Sequence, residues 1–159
     1  MLDNRENVAR AIFEPKMVYQ GRLLAPAFEL RPSIREDYLS VVRLSVEGWK
    51  DDIFKIPQHK NRRLYGYAEL NVGDIRAINL NLVKYDVREV DTTRLASHAG
   101  IFITVNGEPL VGGESLSLLP EGVSEDFLLL AIRNRLVNLA QRKLVAVRTE
   151  EDRIYTKTT

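Results

Sequence analysis

The sequence predicts an α+β fold, in which a mainly antiparallel sheet is accompanied by short helices and a long C-terminal helix packs on one face. Two patterns predict it. Several segments alternate apolar and polar residues with the period of two that is typical of strands, and residues 124–147 carry a broad apolar helical face. A chain of 159 residues has the bulk of one domain. We therefore expect a single domain over residues 1–147 and a polar C-terminal tail over residues 148–159.

Short strands are predicted in the N-terminal third of the chain. Residues 8–13 and 16–30 are rich in β-branched, aromatic and alternating residues, and the dipeptide Gln20-Gly21 favours a turn within the second segment. Residues 38–46 have apolar side chains on both faces, as expected of a strand that is buried on two sides. A short helix is predicted over residues 47–57, which end in a proline.

A strand that leads into a helix is predicted in the middle of the chain. Residues 64–70 alternate regularly, and Asn71 with Asp74 three residues later has the spacing of a helix N-cap. The alternation predicts one face with Tyr65, Tyr67 and Glu69 and an opposite face with Leu64, Gly66, Ala68 and Leu70.

The C-terminal half is predicted to contain a strand, a hairpin and the long helix. Residues 82–90 alternate, and residues 99–114 form a hairpin that turns at Asn106-Gly107, a dipeptide that tolerates the positive φ angles of a type I′ turn. The helix over residues 124–147 begins with Ser124 as N-cap. Acids in its first turn and Arg142 with Lys143 near its end complement the helix dipole.

Composition excludes several functional classes. The chain has no cysteine, which rules out disulfides, thiolate catalysis and cysteine-ligated zinc, and its two histidines, His59 and His98, form no ligand motif. We expect neither a metal nor a cofactor. The net charge of +1 provides no global field for nucleic acid or an anionic membrane. The first residues lack the apolar stretch of a signal peptide, and no run approaches the roughly 18 apolar residues of a membrane span. We therefore expect a cytoplasmic protein with no membrane partner.

Three polar residues are candidates for catalysis. Arg43 interrupts an otherwise apolar strand, and a buried arginine needs an anionic partner such as a carboxylate or a ligand phosphate. Glu69 is the nearest acid on a comparable strand, so we expect it within reach of Arg43. His98 stands at the start of a strand and has the side chain best suited to proton transfer near neutral pH. The alternative is that these residues are structural. Arg43 would then form an ion pair, Glu69 would lie on a solvated strand face, and His98 would have no catalytic role.

A basic loop is the candidate for nucleic-acid binding. Charge beside stacking surfaces is typical of proteins that bind single strands. The residues concerned are His59, Lys60, Arg62, Arg63 and Tyr65.

The chain resembles a group of small, uncharacterised bacterial proteins. The resemblance is carried by three segments, an LSV-x-R strand (residues 39–43), a G-x-A-x-L strand before a short helix (66–70) and a closing HA-x-I (98–101). It covers residues 8–103 and leaves the C-terminal helix outside. It implies a bacterial origin and brings no activity with it.

Two functional hypotheses from different classes remain, with a weaker third. The first is a small binding or accessory protein that acts through a protein partner or as a homo-oligomer, since no catalytic trio can be identified from spacing alone. The second is an enzyme without metal or thiol, in which Arg43, Glu69 and His98 converge to form a cleft for nucleotide or phosphate chemistry. The third is RNA binding through the loop at residues 59–63.

Overall fold

The computed structural model describes residues 2–30, 37–57, 61–80, 82–110 and 125–147. The helices are α1 (Trp49–Phe54), α2 (Val72–Arg76) and α3 (Glu125–Gln141), with a 3-10 turn at Ala25–Phe28. The strands are β1 (Asn7–Glu14), β2 (Val18–Tyr19), β3 (Arg22–Leu23), β4 (Leu39–Arg43), β5 (Arg63–Asn71), β6 (Asn79–Leu80), β7 (Val83–Glu89), β8 (His98–Val105), β9 (Glu108–Pro109) and β10 (Leu144–Ala146). The α+β prediction is confirmed.

Eight of the strands form one antiparallel sheet. Its order is β10-β5-β1-β4-β8-β7-β6, and β9 also pairs with β8. The strands β2 and β3 form a separate two-stranded sheet that turns at residues 20–21, as predicted. The last part of the predicted strand segment 16–30 is instead the 3-10 turn. The order places β1, β4 and β8 side by side, although long stretches of sequence separate them.

The two faces of the sheet carry apolar cores of different size. The larger core lies between the sheet and α3, and we call this side the helix face. Four buried residues spaced by four along α3 form its contact surface: Leu128, Ile132, Leu136 and Ala140. The smaller core lies on the reverse face, where α1 buries Ile53 against residues of β1, β4 and β5.

The pairing of β5 with β1 contains a β-bulge that the alternation of β5 in sequence does not reveal. The pairing shifts register between Ile12 and Phe13, so that Tyr65 has no opposing residue in β1. Tyr65 packs toward the core of the helix face, whereas Tyr67 belongs to the core of the reverse face. The predicted face with Tyr65, Tyr67 and Glu69 is therefore wrong at Tyr65, because one extra residue reverses the alternation that precedes it.

The chain beyond α3 is a strand, so the predicted helix over residues 124–147 is too long. α3 ends at Gln141, and β10 pairs with β5, with Val145 opposite Tyr67. The outer edge of β5 has backbone donors and acceptors that need partners, and a Val-Ala-Val sequence suits a strand. Gly66 permits the approach, since a Cβ atom there would lie 1.8 Å from the Val145 carbonyl oxygen.

Local signals in the sequence are otherwise accurate. The Asn71 side chain accepts a hydrogen bond from the backbone of Asp74 at 3.0 Å and caps α2. The β8–β9 hairpin turns at Asn106 and Gly107, whose φ angles are 55° and 82°. The rest of the predicted hairpin, the Ser124 cap and the tail at residues 148–159 lie outside the described residues. None of the helices in the described ranges has the length and apolarity needed to cross a membrane.

Candidate functional site

Arg43 is held by an acid that no pattern in the sequence indicates. Its Nε donates to Glu6 Oε1 at 2.6 Å and its Nη2 donates to Oε2 at 3.2 Å. The Ser45 hydroxyl also donates to Glu6, and the Glu89 carboxylate lies 3.6 Å from Arg43. The hydrogen bonds between them lower the pKa of Glu6 and raise that of Arg43. Arg43 therefore ties the segment before β1 to the end of β4.

Glu69 lies on the opposite face of the sheet from Arg43, so the prediction that they are within reach of each other is wrong. Glu69 opposes Ala9, which belongs to the core of the reverse face. Arg43 opposes Val8, which belongs to the core of the helix face. Opposed residues of antiparallel strands project to the same side. The register of strand pairing therefore determines the face on which each side chain lies, and the composition of a strand does not reveal its register.

His98 shares the reverse face with Glu69 but is distant from it. The two residues stand in one cross-strand row in which Ala9 and Val42 lie between them. Three strand spacings separate them, which is roughly 14 Å. The predicted catalytic set of Arg43, Glu69 and His98 does not form.

The described part of the basic loop contacts the protein itself. Arg62 donates to the Pro57 carbonyl at 2.9 Å, and its guanidinium lies 3.9 Å from the centre of the Phe13 ring. Arg63 pairs with Glu14 at 3.4 Å. Tyr65 packs against the core of the helix face, so its ring is partly buried. The remaining two candidates, His59 and Lys60, lie outside the described residues.

The reverse face has a second half that α1 does not fill. Strands β4, β8 and β7 are adjacent there, and the side chains that alternate away from the helix face belong to neither apolar core. We call this surface the open face. It consists of Tyr38, Ser40, His98, Phe102, Asp86 and Arg88, of which Ser40 is exposed and the others are half-buried.

Aromatic rings meet at the centre of the open face. The Tyr38 ring centre lies 5.8 Å from that of His98 and 5.0 Å from that of Phe102. The Tyr38 ring lies over Gly100, where a Cβ atom would be 2.7 Å from the ring. A glycine is required for this approach, and cross-strand aromatic contacts of this kind stabilise a sheet.

Charged groups border the rings. The Arg88 guanidinium lies 5.9 Å from the Phe102 ring centre, and its Nε donates to Asp86 at 2.8 Å. Arg76 donates to the same carboxylate, also at 2.8 Å. Burial would raise the pKa of Asp86, but the hydrogen bonds from the two arginines outweigh it and lower the pKa. Two guanidinium groups therefore share one carboxylate at this border.

His98 and Ser40 form a hydrogen-bonded pair that spacing in the sequence does not predict. His98 Nε2 lies 3.1 Å from Ser40 Oγ, and His98 Nδ1 lies 2.9 Å from the carbonyl oxygen of Asp91. The carbonyl oxygen can only accept, so Nδ1 carries a hydrogen. In the neutral ring, Nε2 is then the acceptor and Ser40 is the donor. The pairing of β4 with β8 creates the contact, and no local pattern in either segment indicates it.

The loop that supplies the Asp91 carbonyl has an internal turn at Asp91 and is anchored to α1 at its Ser97 end. The Asp91 side chain accepts hydrogen bonds from the backbone and the hydroxyl of Thr93. Ser97 is fully buried and donates to Asp52 of α1 from its backbone at 3.2 Å and from its hydroxyl at 2.6 Å. Burial would raise the pKa of Asp52, but the hydrogen bonds from Ser97 and Lys55 together outweigh it and lower the pKa. The end of the loop that precedes His98 is therefore fixed to α1.

Within the described ranges, no three carboxylate or imidazole side chains converge to hold a metal ion. Comparison of the chain with protein-family models, curated proteins and solved structures finds no match. The functional assignment therefore depends on the geometry and the charge of the open face.

Proposed function

We propose that this chain is a binding protein that acts through direct contact with a protein partner, and that the partner docks on the open face. The observation that carries the proposal is the contact among Tyr38, His98 and Phe102 on a part of the sheet that neither apolar core covers. Aromatic side chains at the centre of a patch, with paired charges around them, are the composition of a protein interface.

The charge of the surface favours a protein over a nucleic acid. Arg88 and Arg76 share the Asp86 carboxylate, so these three groups together carry a charge of only +1. The chain as a whole carries a net charge of +1. Binding to a nucleic-acid backbone depends on uncompensated cations and the release of counterions. The register does not favour a phosphate cleft built from Arg43, Glu69 and His98, because Arg43 lies on the helix face and the other two lie on the reverse face.

A second copy of the chain is the first partner to test. The open face presents an arginine beside a carboxylate, and two copies related by a twofold axis can align such charges with opposite signs. We expect sedimentation velocity to show a dimer that dissociates on dilution and that is lost in Phe102→Ser. Tyr19→Ser is the matched control, because Tyr19 is 64% exposed and lies outside the open face.

A different partner is tested on the same surface. A photo-reactive amino acid at position 102 should cross-link one defined protein in cells, and position 19 should not. Binding must then be reproduced with the two purified proteins and abolished by Phe102→Ser. A monomer at every concentration, together with no partner that meets these conditions, would overturn the proposal.

A further inference from the structure

We propose that Ser40 is a nucleophile activated by His98, and that the open face accepts an acyl group from an ester substrate. The inference concerns the same surface as the proposed binding function and adds a chemical activity to it. It depends on the geometry of three groups, Ser40 Oγ, the His98 ring and the Asp91 carbonyl, and it needs no protein partner.

The order of the hydrogen bonds is the first feature that supports this activity. An activated hydroxyl needs a base within about 2.6–3.2 Å and a third group that orients the base. Ser40 Oγ lies 3.1 Å from His98 Nε2, and the Asp91 carbonyl oxygen lies 2.9 Å from His98 Nδ1. Because the carbonyl fixes the hydrogen on Nδ1, the lone pair of the neutral ring is on the nitrogen that faces Ser40. The tautomer is therefore the one that a general base requires.

The rigidity of the base is the second feature. The Tyr38 ring packs beside the imidazole, with the ring centres 5.8 Å apart. The loop that carries the Asp91 carbonyl is held by Ser97 and Asp52 at its other end. A catalytic group is effective when its own position is fixed by such supporting contacts.

Access is the third feature. Ser40 is exposed, so a substrate can reach its hydroxyl from solvent. Its neighbour across the strands is Gly100, over which the Tyr38 ring lies.

Ester hydrolysis by this route needs no reagent other than water. Ser40 Oγ attacks the ester carbonyl carbon, and its proton passes to His98 Nε2. The carbon–oxygen bond to the leaving alcohol breaks, and the alcohol takes the proton from His98. Water then attacks the acyl group on Ser40, with His98 as base once more, and releases the acid and the free serine. No metal, thiol or electron transfer takes part in these steps.

A fluorophosphonate probe tests the proposal directly. Ser40 Oγ would form a bond to phosphorus while the phosphorus–fluorine bond breaks and the proton passes to His98. We expect labelling of the purified full chain at Ser40, none in Ser40→Ala, and a rate at least about a hundredfold lower in His98→Gln.

Ser45→Ala is the matched control. Ser45 is also exposed, but its hydroxyl donates to the Glu6 carboxylate at 2.6 Å and no histidine contacts it among the described residues. Its loss should leave labelling unchanged. Circular dichroism and thermal unfolding of each variant separate loss of reactivity from loss of fold. Labelling of wild type that is no faster than that of Ser40→Ala, or that persists in His98→Gln at the same rate, would overturn the proposal.

The two proposals fail independently. Ser40→Ala retains Tyr38 and Phe102 and should still self-associate or bind its partner. Absence of labelling with binding intact removes the nucleophile and leaves the docking surface. Labelling that persists in Phe102→Ser after binding is lost would show that the nucleophile does not depend on docking. Phe102 is not one of the groups that react.

Discussion

The two halves of the reverse face differ in the side chains that cover the sheet. Near β1 and β5, small and apolar side chains such as Ala9 and Ala11 are buried beneath α1. Near β8 and β7, polar and aromatic side chains contact one another across the strands, as His98 does with Ser40. The core of the covered half is closed off by Ile53 of α1. The open half has paired polar groups that a partner or substrate can reach, so both proposals concern it.

Two glycines, one beside the β10 edge of the sheet and one in the open half, provide the strongest test of how tightly different parts of the sheet are packed. Gly66 of β5 opposes Ile12 of the helix-face core and lies against backbone, since a Cβ atom there would be 1.8 Å from the Val145 carbonyl oxygen. We expect Gly66→Ala to lower the free energy of unfolding by about 3 kcal/mol, because backbone must move to admit the methyl group. Urea unfolding measures this loss. A change below about 0.5 kcal/mol would show that β10 is not closely packed on β5.

The control is the glycine of the open half. A Cβ atom at Gly100 would lie 2.7 Å from the ring of Tyr38, which is a side chain and can rotate away. Gly100→Ala should therefore cost only about 1 kcal/mol, with a change in the near-ultraviolet circular dichroism of the tyrosine. Equal losses for the two variants would mean that the open half is packed as tightly as the contact between β5 and β10.

The ion pair of Arg43 tests whether polar groups at the sheet end are structural. Glu6→Gln should lower the free energy of unfolding by about 2 kcal/mol at neutral pH, because it weakens hydrogen bonds to a half-buried arginine. The pKa of Glu6 is depressed below its ordinary value of 4.5 in the folded state. Its contribution is therefore present above that value and is lost as the pH falls through the lowered pKa. The difference between wild type and variant, measured by urea unfolding at several pH values, should shrink on acidification.

Glu69→Gln is the control for that measurement. Glu69 lies on the other face of the sheet from Arg43. Glu69→Gln should therefore lower the free energy of unfolding at neutral pH by less than half as much as Glu6→Gln. A loss as large as that of Glu6→Gln would contradict the assignment of Glu6 as the partner of Arg43.

The last effect is expected at Tyr85, and it is a gain in the free energy of unfolding. The open face pairs its polar groups, whereas the core beneath α3 buries the Tyr85 hydroxyl without a hydrogen-bond partner among the described residues. Burial also raises the pKa of this hydroxyl. Tyr85→Phe should raise the free energy of unfolding by about 1 kcal/mol in urea unfolding, because it removes an unsatisfied buried group. Tyr19→Phe, at an exposed tyrosine, should change nothing. A loss of stability in Tyr85→Phe would show that a water or ligand binds the hydroxyl.

The sequence by itself determined the local features of this protein. The α+β class, the Asn71 cap, the Asn106-Gly107 turn and the position of α3 each depend on residues close together in the chain. Such signals act through backbone preferences and side-chain periodicity, which are visible within a few residues.

Only the tertiary structure decided which distant residues meet. The partner of Arg43 is Glu6, although Glu69 had the better local pattern, and the partner of His98 is Ser40. The bulge at Tyr65 and the conversion of residues 144–146 into a strand arise from pairing with β1 and β5. Strand order and register set all of these contacts, and a shift of one residue reverses every face. That register is fixed by packing across the whole sheet, which no single segment of the sequence contains.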